Sequence, residues 1–515
     1  MALAKYFSKN LLALSQVLKN ANSNQFQSIL DNTVIGIAFN EEIKKHEGAA
    51  ALDLSVRLIA RLYPKINFIN LDSSNKDVIV ELKKLAASIN SKIEFVTEQP
   101  SVVLVIGNCA IERSITNGPV YFIGSNGWVT KFSSENPVRV GNTNNPLAAG
   151  VAACIGASNI FRYVFSDFLS SPEFDEDFSL SLITLDTVDN VPDAKNKTVD
   201  IGHAHLVGFG AIGNGFLWAL KNSPFLKGTL TLVEPEKLDL SNLQRYILAE
   251  ERHIEKPKIE LAKESMQGSK VDLRPFAEDW AGYLNKKGWN NQTVIVAIDN
   301  AQDRINIQAS LPESIINSYT ENNVIGISRH FDFINETCLA CIYMPSGKQK
   351  SHSQQVADNL NLSQHERFIR DYIFYNKNAD DQLLNLVAQA NNIEPEKLQA
   401  YNGLPVQQFY SSIVCGGTLM ELRNDHTVVE HVEAPLAFQS AMAGILELSE
   451  LIITKAGLRK EKMNIKTQFY PLSPIKSGVN PYNHDFAKDN SGRCMCADQD
   501  FQGLYMSKWK TNKNS

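Results

Sequence analysis

What the chain lacks narrows its class. Seven cysteines in 515 residues are too few for a disulfide framework, which leaves metal binding, catalysis or burial as their uses. No run of apolar residues approaches 18 in length, and the N-terminal MALAKYFSKNLLALSQVLKN is a Lys-punctuated helical pattern without a small-residue cleavage site. Neither a membrane partner nor a secretory leader is expected, and a cytoplasmic location is. Asp and Glu outnumber Lys and Arg by 56 to 50, for a net charge of −6, and no extended basic stripe is visible. That argues against nucleic acid as the main partner. A chain of this length is expected to form roughly two to four domains, each with its own core.

The richest stretch begins at His205: HLVGFGAIGNGFLWALKNSPFLKGTLTLVEPEKLDLSNLQRY. LVGFG reads as the end of a buried strand, Gly208, Gly210 and Gly213 supply GxGxxG, and FLWALKNS begins a helix whose N-terminus would face a phosphate. TLTLV reads as a second strand ending at Glu234, where an acid can accept hydrogen bonds from ribose hydroxyls. A glycine fingerprint alone suits any dinucleotide enzyme and leaves an oxidoreductase open. EPEKLDLSNLQRYIL followed by EKPKIELAK shifts the balance, because Asn242, Arg245 and Lys258 are three phosphate-directed groups. Arg245 offers a planar fork and Lys258 a point charge, a division suited to holding a polyphosphate; the plainer alternative is a solvated charged helix. TVIVAIDNAQDR at 293–304 reads as a buried strand with Asp299 at its C-terminal end, where α/β sheets bind ligands and an acid can hold magnesium.

Four cysteines form a constellation: Cys338 and Cys341 in ETCLACIYMP, Cys494 and Cys496 in GRCMCAD. They offer four thiolates to a tetrahedral zinc ion. The CxC spacing is tighter than CxxC and is expected to strain joint ligation, so two pairs of ordinary reduced thiols remain the alternative. Cys109 in VVLVIGNCAIE and Cys154 in GVAACIGAS read as core residues.

The chain also repeats itself. VVLVIGNCAIER at 102–113 reads against TVIVAIDNAQDR at 293–304, and NPLAAGVAACIGASNIFRYV at 145–164 against APLAFQSAMAGILELSELII at 434–453. The first copy has lost its chemistry: VIGIAF at 34–39 lacks the glycines, and Asn108 or Cys109 stands where a magnesium acid would be. Polar, Asp-rich residues around 185–200 read as the linker. The second copy is longer, chiefly at 345–430, where apolar spacing of three and four reads as inserted short helices ending in FYSSIVCGGTLMEL with Cys415.

In this order the pieces resemble the ThiF/MoeB/ubiquitin-activating superfamily, over 203–345 and 430–456. The resemblance implies an α/β fold of two Rossmann-like adenylation domains, N-terminal degenerate (1–190) and C-terminal active (200–345 and 430–515), with a helical catalytic-cysteine insertion (346–429). It implies ATP, magnesium and zinc as cofactors, Glu234 as the ribose acid, Lys258 as the phosphate lysine, Asp299 as the magnesium aspartate and Cys415 as the thioester nucleophile. Two positions depart from the family: Asp is usual where Glu234 stands, and Gln where Tyr246 stands. The family's partner-domain arginine has no match in KYFSKNLLAL, which offers Lys9. The implied partners are a ubiquitin-like carrier protein and a conjugating enzyme, with the chain a pseudo-dimeric monomer or a homodimer. Its compact size resembles activating enzymes of prokaryotic conjugation operons, some of them antiphage. A sulfur-carrier adenylyltransferase and a non-catalytic regulatory subunit are the alternatives.

Overall fold

A computed structural model describes residues 3–18, 23–72, 76–169, 172–188, 197–344, 350–415, 419, 435–475, 483–484 and 486–510. In the N-terminal half, α1 (Phe7–Val17) and α2 (Ser23–Asp31) precede β1 (Val34–Phe39). Then come α3 (His46–Leu62), β2 (Lys65–Asn70), α4 (Lys76–Ile89), β3 (Glu94–Phe95), β4 (Val102–Ile106), β5 (Val120–Asn126), β6 (Val129–Ser133), α5 (Leu147–Val164), β7 (Phe178–Ser181) and β8 (Asp186–Thr187). The C-terminal half continues with β9 (Val199–Val207), α6 (Ala211–Lys221), β10 (Leu226–Val233), α7 (Lys258–Ser265), β11 (Val271–Phe276), α8 (Trp280–Lys287) and β12 (Thr293–Val296). After these come α9 (Ala301–Ala309), β13 (Ser314–Glu321), β14 (Val324–His330), α10 (Leu339–Tyr343), β15 (Lys466–Phe469) and β16 (Asn483–His484).

Both sheets have eight strands in one order, β3-β2-β1-β4-β5-β6-β7-β8 and β11-β10-β9-β12-β13-β14-β15-β16. In each, the first five strands run parallel and the last three join antiparallel. The central strands VIGIAF, VVLVI and TVIV are buried at every residue, the unbroken apolar pattern that a sheet covered on both faces requires. The strand order reverses beside β1 and β9, which leaves a crevice at the carboxyl ends of β1 and β4 and of β9 and β12. The two segments that match in sequence, β4 and β12, hold the same place in their sheets.

The halves meet along α5, α6 and the helix Ala437–Ala456, where small side chains allow close approach. A Cβ on Gly150 would come within 2.6 Å of the Trp218 ring, and one on Gly215 within 2.7 Å of the Ala441 carbonyl. Phe161 and Phe438 cross this seam edge to face at 5.8 Å. Among the described helices, α5 and Ala437–Ala456 are long and apolar enough to cross a membrane, but 89% and 94% of those windows are buried in the protein.

Between α10 and Ala437 lies a helical set: α11 (His352–Asn359), α12 (Glu366–Phe374), α13 (Asp381–Ala390) and α14 (Val406–Tyr410). These helices share buried apolar side chains, among them Ile369, Leu384, Val387 and Phe409. The expected linker at 185–200 is partly sheet, because Asp186 and Thr187 pair with β7; residues 189–196 lie outside the described residues.

Candidate functional site

The glycine turn lies between β9 and α6. Gly208 has φ +91°, and a Cβ there would stand 2.6 Å from the Ala297 carbonyl at the end of β12. Gly213 is equally enclosed, 2.6 Å from the Gly208 carbonyl. Gly210 differs, since its Cβ would meet only the Tyr246 hydroxyl at 3.6 Å. The first and third glycines let the turn pack, and the second leaves the backbone open to an approaching group.

Glu234 follows β10 directly and is 4% exposed. The Phe209 amide of the turn donates to its Oε2 at 2.7 Å, and the Glu236 amide to its Oε1 at 2.9 Å. Burial raises the carboxyl's pKa, against the pull of Lys258 and these two amides. Lys258 Nζ lies 3.9 Å from Glu234, is paired at 2.6 Å with the exposed Glu236, and sits 5.2 Å above the Tyr246 ring. Burial works against its charge, but Tyr246, Glu234 and Glu236 outweigh that and hold its pKa above the ordinary lysine value.

Asp239 and Asn242 form a capping box around the turn Leu240–Gln244, with Asn242 Oδ1 accepting from the Asp239 amide at 3.0 Å. That carbonyl oxygen therefore shapes the turn. Arg245 closes the turn, its guanidinium 5.6 Å from the Tyr246 ring, and its Nη1 is buried with no hydrogen-bond partner among the described residues. A buried donor without an acceptor costs about 1–3 kcal/mol, and a phosphate oxygen would satisfy it. Tyr246, where the family has Gln, thus packs under both cations and beside the open glycine.

Asp299 is exposed just past β12, and Asn300 caps α9 by accepting from the Asp303 amide at 3.1 Å. Burial, and then the Asp299 charge, raise the Asp303 pKa, so two carboxyls share this end of the helix. The loop between them is held by Arg304, which donates to the Ile298 carbonyl and, at 3.0 Å, to Asn317 Oδ1, and stacks 4.7 Å from the Tyr343 ring. Arg304 ends the motif TVIVAIDNAQDR, and its burial on α9 is the signal that sequence reading passed over.

The N-terminal crevice is filled by the protein's own carboxylates. Glu42 Oε2 accepts from the amides of Asn108 at 2.8 Å and Val140 at 3.1 Å, and its Oε1 is paired with Lys45 at 2.5 Å. Glu47, fully buried, accepts from the amides of Thr143 at 2.9 Å and Gly127 at 3.2 Å and from the Ser125 hydroxyl at 2.5 Å. Asn108, which aligns with Asp299, thus gives its amide to an internal anion. Cys154 is buried as expected, whereas Cys109 is only partly so, because it lies in the loop beyond β4 rather than in the strand.

Cys338, Cys341, Cys494 and Cys496 are buried, with all four sulfurs within 4.8 Å of one another. Cys494 lies 3.4 Å from both Cys338 and Cys341, and Cys341 lies 3.5 Å from Cys496. A tetrahedral ion with Zn–S near 2.3 Å needs S–S edges of about 3.8 Å, so the donor set fits zinc. The CxC pair closes on the cluster through the short turn Met495–Ala497, and Cys338 and Cys341 flank the start of helix α10. α9 links the two sites, with Asp299 before its start and Leu311 of the cysteine cluster after its end. The backbone of Cys415 ends a π-helical turn, Ser411–Cys415, a form enriched at functional sites; its side chain lies outside the described residues.

A doubly sheeted α/β molecule with a glycine turn, an acid pinned to that turn and an arginine whose buried Nη1 has no partner among the described residues belongs to the nucleotide-binding class. Residues 185–487 match the model of the ThiF family, and the chain belongs to that family. Residues 38–166 match the model of prokaryotic E2 family C. An uncharacterized protein of Sinorhizobium fredii, y4jF, is 37% identical over 514 residues, spanning 99% of this chain and 98% of its own length. Among solved structures, E. coli MccB with MccA-N7isoASN aligns at TM-score 0.36 and 14% identity, covering 57% of this chain and 67% of that one. MccB with ATP aligns at 0.35 and 15%, with coverage of 57% and 67%.

Proposed function

We propose that the chain adenylates the C-terminal carboxylate of a small ubiquitin-like carrier protein and then takes it as a thioester on Cys415 for a conjugating enzyme. The observation that carries the reading is the buried Arg245 Nη1, without a partner among the described residues, next to the Tyr246 ring whose hydroxyl faces the open Gly210. In the first step a carboxylate oxygen bonds to the α-phosphorus of ATP, the bond to the β-phosphate oxygen breaks and pyrophosphate leaves. Arg245 and Lys258 hold the phosphates, Lys258 leaving Glu236 to do so, and Glu234 and Asn242 serve the ribose and the turn. Magnesium held by Asp299 would neutralise the leaving group. In the second step the Cys415 sulfur bonds to the acyl carbon and AMP leaves. The four-cysteine cluster holds a structural zinc.

On this reading residues 1–190 form an inactive adenylation-like domain, 200–345 and 430–515 the active one, and 346–429 the cysteine insertion, with one chain acting as a pseudo-dimer in the cytoplasm. The sulfur-carrier alternative needs neither the N-terminal half nor the insertion. A second reading is favoured by the prokaryotic E2 match over 38–166: there the partly exposed Cys109 would be the transfer thiol. Burial, reinforced by Glu42, pushes that thiol up to about 11, which leaves little thiolate near neutrality. The test is carrier-dependent ATP–pyrophosphate exchange with a small Gly-ending protein encoded beside this chain. Wild type should exchange, Asp299→Ala should fall by about a thousandfold or more, and unchanged exchange in a folded Asp299→Ala protein removes the active-site assignment.

A further inference from the structure

Two of the buried arginines of the N-terminal half reach across to the C-terminal half. Arg57 and Arg61 lie one turn apart on α3, 8% and 1% exposed. Arg61 Nη2 donates to the carbonyls of Tyr246 at 2.6 Å and Ala249 at 2.7 Å, and Arg57 Nη1 to that of Ile247 at 3.1 Å. All three carbonyls belong to the segment directly after Arg245. The same helix also reaches α6, the helix that follows the glycine turn. Asp53, paired with Arg57 at 2.9 Å, accepts from Trp218 Nε1 at 2.7 Å, and His46 Nε2 meets the Asn222 carbonyl at 2.6 Å. Asn214 of α6 closes the circuit by accepting from the Leu248 amide at 3.2 Å.

Packing does not call for Arg61. It donates to the carbonyls of Arg57, Tyr246 and Ala249, and burial draws its pKa down to about 10. Its Nε, the Tyr63 hydroxyl and Gln244 Oε1 have no partner among the described residues. These residues line a cavity of about 20 Å³ between the halves, room for one water. A methionine would fill this place without burying a charge, but only a planar fork holds two carbonyls at once.

We infer that Arg61, supported by Arg57, is a positioning residue for the nucleotide site. From the half whose own crevice is filled, it fixes the backbone after Arg245, and through it the direction of the Arg245 guanidinium and the Tyr246 ring. The inference rests on the reading of 208–258 as the nucleotide site, and binding of Mg-ATP to the full chain, followed by calorimetry, tests the two separately. Wild type that binds no ATP overturns that reading and the inference with it. If wild type binds, Arg61→Lys, which keeps the charge and loses the fork, is expected to weaken binding about tenfold. In an Arg245→Lys background the same change is expected to cost no more than about twofold, because its effect travels through the Arg245 guanidinium. A merely structural arginine would lower affinity equally in both backgrounds; an equal loss, or none in either, overturns the inference. Should Arg61→Lys fail to fold by circular dichroism, Arg57→Lys enters the same cycle, with a loss of about threefold expected that likewise disappears beside Arg245→Lys.

Discussion

At the carboxyl end of β4, Asn108 gives its amide to Glu42 at 2.8 Å; past the end of β12, Asp299 stands exposed. The two sheets share one strand order, so the contrast lies in the turns grafted onto them. After β1 the chain enters a short turn, Glu41–Lys44, that carries its own carboxylate into the crevice. After β9 the corresponding turn is Gly208–Gly210, which brings no charged side chain, since Phe209 between the glycines is buried in the core, and Gly210 faces Tyr246, whose ring also meets Arg245 and Lys258. At the N-terminal crevice the amides of Asn108, Val140, Gly127 and Thr143 are taken by Glu42 and Glu47, while at the C-terminal site Arg245 Nη1 has no partner among the described residues. A fold that can hold an anion at this crevice can be closed by supplying that anion from the protein itself.

The comparison can be sharpened at the features only one half possesses. The largest effect is expected at Cys415, in the insertion that the N-terminal half lacks. Cys415→Ala should leave pyrophosphate exchange intact and remove the thiol-sensitive carrier adduct from a non-reducing gel, whereas Cys109→Ser should leave the adduct in place. The reverse pattern moves transfer chemistry into the N-terminal half. Next is the cysteine cluster, also confined to the C-terminal half. Metal analysis should give about one zinc per chain, and Cys494→Ser with Cys496→Ser should release it and lower the melting temperature by several degrees or more. Protein purified without chelator and free of metal would return the four residues to ordinary thiols.

The smallest effect is on the closed side. Burial pushes the Glu42 carboxyl up, but Lys45 and the amides of Asn108 and Val140 outweigh it and hold its pKa below the ordinary 4.5. A depressed folded pKa contributes stability above the unfolded value, and that stability is lost as pH falls through the folded one. Glu42→Gln should therefore lower stability by about 1–2 kcal/mol at neutral pH, with the gap to wild type narrowing below about pH 4. A gap that stays constant down to pH 3 would mean that Glu42 is not held ionised by these partners.

Much of this was legible in the sequence. Strand ends marked by glycine, the run SNLQR and the lysines after it are local patterns, and the structure brings Gly210, Arg245 and Lys258 to the Tyr246 ring, with Glu234 3.9 Å from Lys258. The four cysteines were legible as pairs, and a short turn closes the second pair on the first. Glu42 was not legible, since its role depends on amides 66 and 98 residues away. Arg57 and Arg61 are spaced as helix neighbours in an apolar stretch, a pattern that does not reveal which carbonyls they meet. Glu236 shows only as one acid among several in EPEKLD until Lys258 is folded onto it.

The most direct measurement is the number of Mg-ATP sites per chain, by equilibrium titration, in wild type and two exchanged turns. One site is expected in wild type. That site should be lost in Gly210→Glu, which gives the open crevice a carboxylate of its own, and kept, still at one per chain, in Glu42→Ala. Two sites in wild type, a second site appearing in Glu42→Ala, or a single site that survives Gly210→Glu would contradict the division into a closed and an open crevice.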